Sequence, residues 1–409
     1  MKTVLDELQQ RGFVEQVSDE KALLELVERQ KIACYIGFDP TADSLHVGSL
    51  VPIMALAHMQ RWGHKPIAIL GGGTTMVGDP SGKSEMRQML TREQIVANGE
   101  KIRQQLSRFL DFDGGRAMMV DNAEWLLQLN YIDFLRDIGR HFSVNRMLAA
   151  GAYKIRLEAG LSFIEFNYQI LQAYDYLMLY RRYGCTLQMG GNDQWGNILA
   201  GVDLVRRVES AEVQALTFPL ITTAGGAKMG KTAKGAIWLD AQRTGPYLFY
   251  QYWINTDDRD VDRFLKLFTF LPMGKIGELQ KLQGAELREA KQILAFEVTK
   301  LVHGEAEATE ARSASQAVFG DGAGQAGKIP SSNWAREQLQ NGVSVIELLL
   351  KSGLVSSKSE ARRLIEQGGA YVNQRRIASH EEKVDLADVD ADGLLLRAGK
   401  KRYHRVVVK

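Results

Sequence analysis

YIGFDPTADSLHVGS, residues 35–49, reads as the end of a strand, a turn and the start of a helix. The apolar run Ile32-Ala33-Cys34 leads into Tyr35-Ile36-Gly37-Phe38, and Pro40 with Asp43-Ser44 breaks the pattern. From His46 the spacing turns helical, with Leu50, Ile53, Met54, Ala57 and Met59 as core positions. A strand feeding a glycine-containing helix N-terminus suits a phosphate, because free N–H groups and the helix dipole both point there. Far downstream, KMGKT (228–232) is a short, doubly basic loop. The fold must decide whether the two stretches meet around one nucleotide.

The totals narrow the class. A chain of 409 residues, 45% hydrophobic and 24% charged, is expected to hold two or three globular domains. The acid-rich, amphipathic start does not read as a signal or transit peptide, and no apolar run reaches the ~18 residues of a membrane span. Cys34 and Cys185 each sit beside a β-like run and read as buried free thiols of a reducing cytosol. No His/Cys cluster has zinc spacing, so no protein-bound metal is expected. The net charge of +2 hides an asymmetry: residues 343–409 hold 13 Lys/Arg against nine Asp/Glu, +4, and the rest is −2. A basic tail suggests a polyanion partner at that end.

Along the chain, Lys65–Leu70 is a second strand running into GGGTTMVGDPSGK (71–83). The P-loop spacing fails there, since Val77 stands where a glycine is needed, and the dinucleotide fingerprint fails at Met76. What remains is a glycine-rich turn where backbone can approach a ligand, with Asp79, Lys83 and Arg87 projecting, or else an ordinary surface loop. Residues 91–112 read as an amphipathic helix, 117–120 as a third strand, and 122–157 as helical with an apolar face. In the helix that follows, Tyr168, Gln172 and Asp175 share one face by their spacing. A phenol, an amide and a carboxylate make a poor solubilising stripe and fit a ligand better, although a solvated face is the plainer alternative. Cys185–Met189 is a strand ending in Gly190-Gly191-Asn192-Asp193-Gln194, the end at which open α/β sheets bind ligands. Phe218–Thr222 reads as a further strand, before a lysine- and glycine-rich segment suited to a lid over polyphosphate. Residues 246–304 are helix-rich, and 319–333 has linker composition. Ser357-x-x-Glu360 reads as a capping box, and Lys358, Arg362, Arg363, Arg375 and Arg376 cluster as for contact with a nucleic-acid backbone. The alternation of strands and helices predicts an α/β fold with a doubly wound sheet.

In this order, the motifs resemble those of one family. PTADSLHVGS and KMGKT are similar to the paired signatures of class I aminoacyl-tRNA synthetases, written HIGH and KMSKS. Tyr35-x-Gly37-x-Asp39-Pro40-Thr41, Gly78–Lys83, Tyr168-x-x-x-Gln172-x-x-Asp175 and Gly190–Gln194 resemble the bacterial tyrosyl group, and the last 67 residues or so resemble its S4 RNA-binding domain. The resemblance implies a Rossmann-like catalytic domain with a doubly wound parallel sheet (1–225), the KMGKT loop with an α-helical domain (226–320), a linker (321–342) and a small α+β S4-like RNA-binding domain (343–409). It also implies a cytoplasmic homodimer whose partners are L-tyrosine, ATP with Mg2+ on its phosphates, and tRNA(Tyr). Tyrosine would be activated to tyrosyl-adenylate with release of pyrophosphate, then transferred to the tRNA 3′ end.

By the same resemblance, Thr41, His46, Lys83, Arg87, Lys228 and Lys231 act on the departing polyphosphate. Tyr35 and Asp175 hold the substrate phenol, while Tyr168, Gln172 and Asp79 hold its ammonium group. Gly37, Asp39, His46, Gly48, Ser49, Gly191, Asp193, Gln194 and Lys231 lie along ATP or the adenylate. Ser49 departs from the family's second histidine, and Gly230 and Thr232 replace serines. A tryptophan enzyme, another nucleotidyltransferase and an RNA-binding scaffold with a relict site are the competing readings. Against them stand the Tyr35–Asp175 pair, the S4-like tail and the intact lysines.

Overall fold

The computed structural model describes residues 2–81, 90–149, 157–158, 160–226, 229–232, 235–319, 330–340, 342–373, 375–390, 393–399 and 402–408, without the side chains of 149, 231, 232 and 317–319. It divides into two compact units, Met1–Glu305 and Ala306–Lys409.

The first unit is built on a sheet of order β1-β6-β5-β2-β3-β4. Its strands are β1 (Gln16–Val17), β2 (Ala33–Phe38), β3 (Lys65–Leu70), β4 (Met118–Asp121), β5 (Cys185–Gly191) and β6 (Gln214–Phe218). All neighbours pair in parallel except β1, which closes the edge antiparallel to β6. From β2 the chain runs outward one way through β3 and β4, and later the other way through β5 and β6. The sheet is therefore doubly wound, with its switch point between the carboxyl ends of β2 and β5, where such sheets bind ligands. Strands buried on both faces carry near-continuous apolar runs, as Ile67–Leu70 does.

The helices that position the site are α1 (Val4–Arg11), α2 (Glu20–Arg29), α3 (Leu50–Arg61), α4 (Arg92–Leu106), α5 (Ala123–Leu126), α6 (Tyr131–Asp137), α7 (Val144–Ala149), α8 (Phe163–Tyr183) and α9 (Trp195–Glu209). The stretch 122–157, read as helical from sequence, thus holds the short helices α5, α6 and α7 and a single 3-10 turn at Gly139–His141 among its described residues, with Ile138 and Met147 buried but Val144 exposed. A capping box at Ser162 starts α8, and Gly184, left-handed at φ 60°, ends it. Cys34 and Cys185 are free and buried.

The strand expected at Phe218–Thr222 lies earlier, at Gln214–Phe218. Pro219 has no N–H for the ladder and ends it. The true strand escaped notice because it carries Gln214 and Thr217, both buried and hydrogen-bonded to Ser18 and Asn192.

In the second unit a sheet of order β12-β11-β14-β15-β9 packs against the helices Val345–Lys351 and Lys358–Glu366. Its strands are β9 (Ser331–Trp334), β11 (Ala370–Val372), β12 (Arg375–Arg376), β14 (Leu394–Ala398) and β15 (Arg402–Val408); the short pair β10 (Val343–Ser344) and β13 (Lys383–Val384) lies apart. Residues 331–333, linker by composition, belong to β9, which pairs in parallel with β15. A polar edge strand has no hydropathy signal, and it is anchored by Trp334 in the core. The Ser357 cap forms, but the Glu360 carboxylate turns to the backbone and hydroxyl of Ser356, not back to Ser357.

Candidate active site

A cavity of about 510 Å3 opens at the switch point. Its walls include Tyr35, Gly37, Asp39 and Thr41 from β2 and the turn after it, and His46, Gly48 and Ser49 at the entry to α3. Tyr168, Gln172 and Asp175 reach it from α8, Gly191, Asp193 and Gln194 from the end of β5, and Asp79 from the turn after β3. Fourteen of the residues expected at the site from sequence thus surround one space. Lys83, Arg87 and Lys228 lie outside the described residues, and Lys231 is described in its backbone alone, in the hairpin β7 (Lys231–Thr232) and β8 (Gly235–Ala236).

At one end, Tyr35 and Asp175 are buried, 1% and 4% exposed. The Tyr35 hydroxyl meets no hydrogen-bond partner among the described residues. Asp175 accepts from Asn122 Nδ2 at 2.9 Å and from Trp125 Nε1 at 2.8 Å. Burial pushes its carboxyl up to about 7, against those two hydrogen bonds and with the help of Asp39 and Asp121 nearby. Burial, and then the Asp175 charge, hold the Tyr35 phenol well above its usual range. An orphaned buried hydroxyl beside a carboxylate poised near neutrality fits a ligand group that both donates and accepts.

Along the α8 face, Tyr168 donates to Asp39 Oδ2 at 3.2 Å, and Gln172 Oε1 accepts from Asn197 Nδ2 at 3.3 Å. Asp79 is buried, with one oxygen taking the Ser81 N–H and the other Gln194 Nε2 at 2.7 Å. The face is therefore not a solvated stripe: Tyr168 and Asp175 join the turns after β2, β3 and β4 through Asp39, Thr74 and Asn122, and Gln172 joins the turns after β3 and β5 through Asn197.

At the other end, His46 Nδ1 accepts the Gly48 N–H at 3.0 Å, which leaves the proton of the neutral ring on Nε2. Ser49 precedes α3 without capping it through its side chain. The two stretches singled out first do meet. Gly230 is left-handed, φ 83°, and a Cβ there would lie 3.0 Å from Val47 Cγ2 and 3.2 Å from both the Gly48 nitrogen and His46 Nδ1. That is why glycine stands where the family signature has serine.

The glycine-rich turn at 71–73 has a different use from the one its composition suggests. Side chains at Gly71, Gly72 and Gly73 would collide with Asp39, Asp121 and Leu126 respectively. Gly71 and Gly72 admit carboxylates of the protein itself, and Gly73 admits the Leu126 side chain. Asn122 accepts the Gly73 N–H and donates to Thr74 Oγ1, which in turn donates to Asp39. Sequence reading missed Asn122, Trp125, Thr74, Gln188, Asn197 and Trp238. Asp121 ends β4 and Asn122 follows it at the carboxyl end, so the rule that marked 190–194 also marks Asn122.

In the second unit, Lys358, Arg362 and Arg363 are exposed on one short helix, and Arg375 and Arg376 on β12. Arg375 pairs with Glu382 at 2.7 Å and reaches Asp388 at 3.5 Å. Among the described residues there is no cluster that could hold a metal ion and no helix long and apolar enough to cross a membrane.

Residues 27–320 match the family described as tRNA synthetases class I (W and Y), and residues 324–406 match the tyrosine–tRNA ligase SYY-like C-terminal domain. The tyrosine–tRNA ligase of Desulfosudis oleivorans is 57% identical, over 100% of this chain and 99% of that protein. That of Acetivibrio thermocellus is 55% identical over 99% of each. Among solved structures, a C-terminally truncated mitochondrial tyrosyl-tRNA synthetase from Aspergillus nidulans superposes with a TM-score of 0.71 at 32% identity, covering 78% of this chain and 95% of that one.

Proposed function

Since the chain belongs to the class I tRNA synthetases of the tryptophan and tyrosine group, we infer that it is a tyrosine–tRNA ligase. It activates L-tyrosine with ATP and transfers the tyrosyl group to the 3′ end of tRNA(Tyr). The observation that carries the choice of amino acid is the buried pair at one end of the cavity. A phenol donates its proton to Asp175 and accepts one from Tyr35, satisfying both, whereas an indole N–H can only donate and leaves Tyr35 unpaired.

With the phenol anchored there, the ammonium group lies against Asp79, Tyr168 and Gln172, and the carboxylate points toward His46. That carboxylate attacks the α-phosphorus of ATP in line; the new acyl–phosphate bond forms as the bond to pyrophosphate breaks. No residue of the chain becomes covalently attached, so catalysis consists of positioning and charge neutralisation. In this assignment Thr41 and His46 stabilise the leaving polyphosphate, together with Lys83, Arg87, Lys228 and Lys231. Gly37, Asp39, Gly48, Ser49, Gly191, Asp193 and Gln194 line the ribose and adenylate. Mg2+ enters on the ATP phosphates as part of the substrate.

The same reading gives residues 1–225 the catalytic role, 226–320 the lid and helical region, 321–342 the linker and 343–409 the tRNA-binding role through Lys358, Arg362, Arg363, Arg375 and Arg376. It also makes the enzyme a homodimer. Tyr131, Ile132, Val144 and Phe163, between 57% and 71% exposed, supply apolar surface for that contact. Its place of work is the cytoplasm, where tRNA is charged for translation.

Amino-acid-dependent ATP–pyrophosphate exchange across a panel of amino acids tests the assignment. Exchange is expected with tyrosine alone. Exchange with tryptophan instead would overturn the specificity, and none with any amino acid would leave a tRNA-binding scaffold. Within this reaction, Gly230→Ala should slow adenylate formation by about tenfold, since a left-handed alanine costs ~1–2 kcal/mol and its methyl group meets Val47. Tyrosine affinity should not change; stopped-flow fluorescence separates the two.

A further inference from the structure

Beyond the hairpin β7–β8, the chain is stitched onto the turn that carries His46. Ile237 N–H donates to Gly230 O at 2.9 Å, so the stitching begins within a few residues of the basic loop. The Val47 N–H then donates to Ile237 O at 2.9 Å, the Leu239 N–H to Leu45 O at 2.8 Å, and the Asp240 N–H to Ser44 Oγ at 3.2 Å. His46 and Trp238 face each other across this antiparallel bridge, with ring centroids 6.3 Å apart at 72°. Trp238 lines the cavity. The Arg243 guanidinium lies 3.5 Å above the Trp238 ring, and its Nη1 pairs with Asp43 Oδ1 at 2.7 Å. The other Asp43 oxygen takes Lys101 Nζ, on α4, at 3.0 Å. The Trp238 N–H donates to Thr244 Oγ1 at 3.0 Å, closing the loop that brings Arg243 back over the ring.

Stability is a weak explanation for this cluster. Arg243 and Asp43 keep 35% and 39% of their side chains exposed, and exposed ion pairs and cation–π contacts contribute ~1 kcal/mol or less each. What the cluster does is geometric. It joins three pieces of chain that the reaction needs in register: the exit of the basic hairpin, the His46 turn and α4.

We propose that Asp43, Arg243 and Trp238 form a latch that holds His46 and the basic hairpin in register over the ATP polyphosphate. Trp238 and Arg243 are thus positioning residues for adenylate formation. The latch acts through His46 and the loop backbone, at the end of the cavity away from Asp175. Its loss therefore weakens the use of ATP and spares the binding of tyrosine.

The proposal rests on the adenylate-forming reading, and two measurements separate them: ATP–pyrophosphate exchange kinetics and equilibrium binding of tyrosine alone. Trp238→Leu should lower kcat or raise KM for ATP by about tenfold, the scale of a slightly misplaced catalytic group, with tyrosine affinity unchanged. Trp238→Phe, which keeps an aromatic face under Arg243, should recover most of the loss. Arg243→Met and Asp43→Asn, both at the surface, should each cause a severalfold loss. The double variant should be no worse than the poorer single one, because the two act as a unit. Wild-type ATP kinetics in Trp238→Leu, or in both surface variants, would overturn the latch. A parallel loss of tyrosine affinity, or additive Asp43 and Arg243 effects, would do the same. If Trp238→Leu does not fold, the two surface variants decide alone. No exchange by the wild-type enzyme would instead sink the functional reading.

Discussion

Asp175→Asn is expected to lower kcat/KM for tyrosine by about ten- to a hundredfold. On the proposed reading the exchanged group is the buried carboxylate that accepts the substrate phenol, and a hydrogen bond to a charged acceptor contributes ~1.5–3 kcal/mol. Asn122 and Trp125 each donate to one oxygen of Asp175, so an amide there also faces a donor with its own NH2 group. The variant should lose discrimination along with rate. In the wild type, phenylalanine would leave the Tyr35 hydroxyl unpaired and the buried Asp175 charge with only Asn122 and Trp125 to meet it, and removing the charge removes the larger of those two penalties. The pH dependence has a definite sign. The Asp175 carboxyl is raised to about 7, chiefly by burial, and on the proposed reading its ionised form is the one that accepts the phenol's proton. Tyrosine affinity should be steady above pH 7 and fall toward tenfold per unit as pH drops below it. Asp175→Asn should flatten that profile. Equilibrium binding of tyrosine alone measures this without the titration of ATP. Unchanged kinetics and an unchanged profile in the variant would remove Asp175 from the phenol site.

Truncation after residue 320 should leave tyrosyl-adenylate formation near the wild-type rate and reduce tRNA charging by about a hundredfold or more. The cavity is lined wholly by residues of the first unit. The basic residues assigned to tRNA lie in the second, and a surface making several phosphate contacts supplies much of such an affinity. The cut belongs before β9 and not after it, because Ser331–Trp334 is part of the second sheet, with Trp334 in its core. The Aspergillus nidulans relative was itself solved in a C-terminally truncated form. Pyrophosphate exchange and aminoacylation on the same preparation separate the two steps. Equal charging by the truncated enzyme would refute the role given to the tail. Salt should discriminate further, as charging by the full-length enzyme depends on ionic strength and adenylate formation far less.

Much of the catalytic unit could be read from the chain. Strands buried on both faces produce apolar runs, and β2, β3, β4 and β5 lie within a residue or two of their expected places. The misses share a cause. β6 carries Gln214 and Thr217, β9 is Ser-Ser-Asn-Trp, and β1 has two residues. Polar residues enter a strand when tertiary partners satisfy them, and no local pattern records a partner nearly 200 residues away, as Ser18 is from Gln214. The same holds for the glycines at 71–73, whose neighbours Asp39 and Asp121 are distant in sequence and adjacent in space.

By itself the sequence determined the alternating architecture, the order of the motifs and the face of α8 that carries Tyr168, Gln172 and Asp175. These follow from periodicity and spacing, which are properties of the local chain. Tertiary structure alone decided that Gly230 rests against His46, that Asn122 and Trp125 hold Asp175, and that the Tyr35 hydroxyl is buried without a partner. Each of these is a contact between segments brought together by the winding of the sheet about β2 and β5. The energies that matter there, desolvation and hydrogen bonding, depend on what is packed alongside and not on what comes next in the chain.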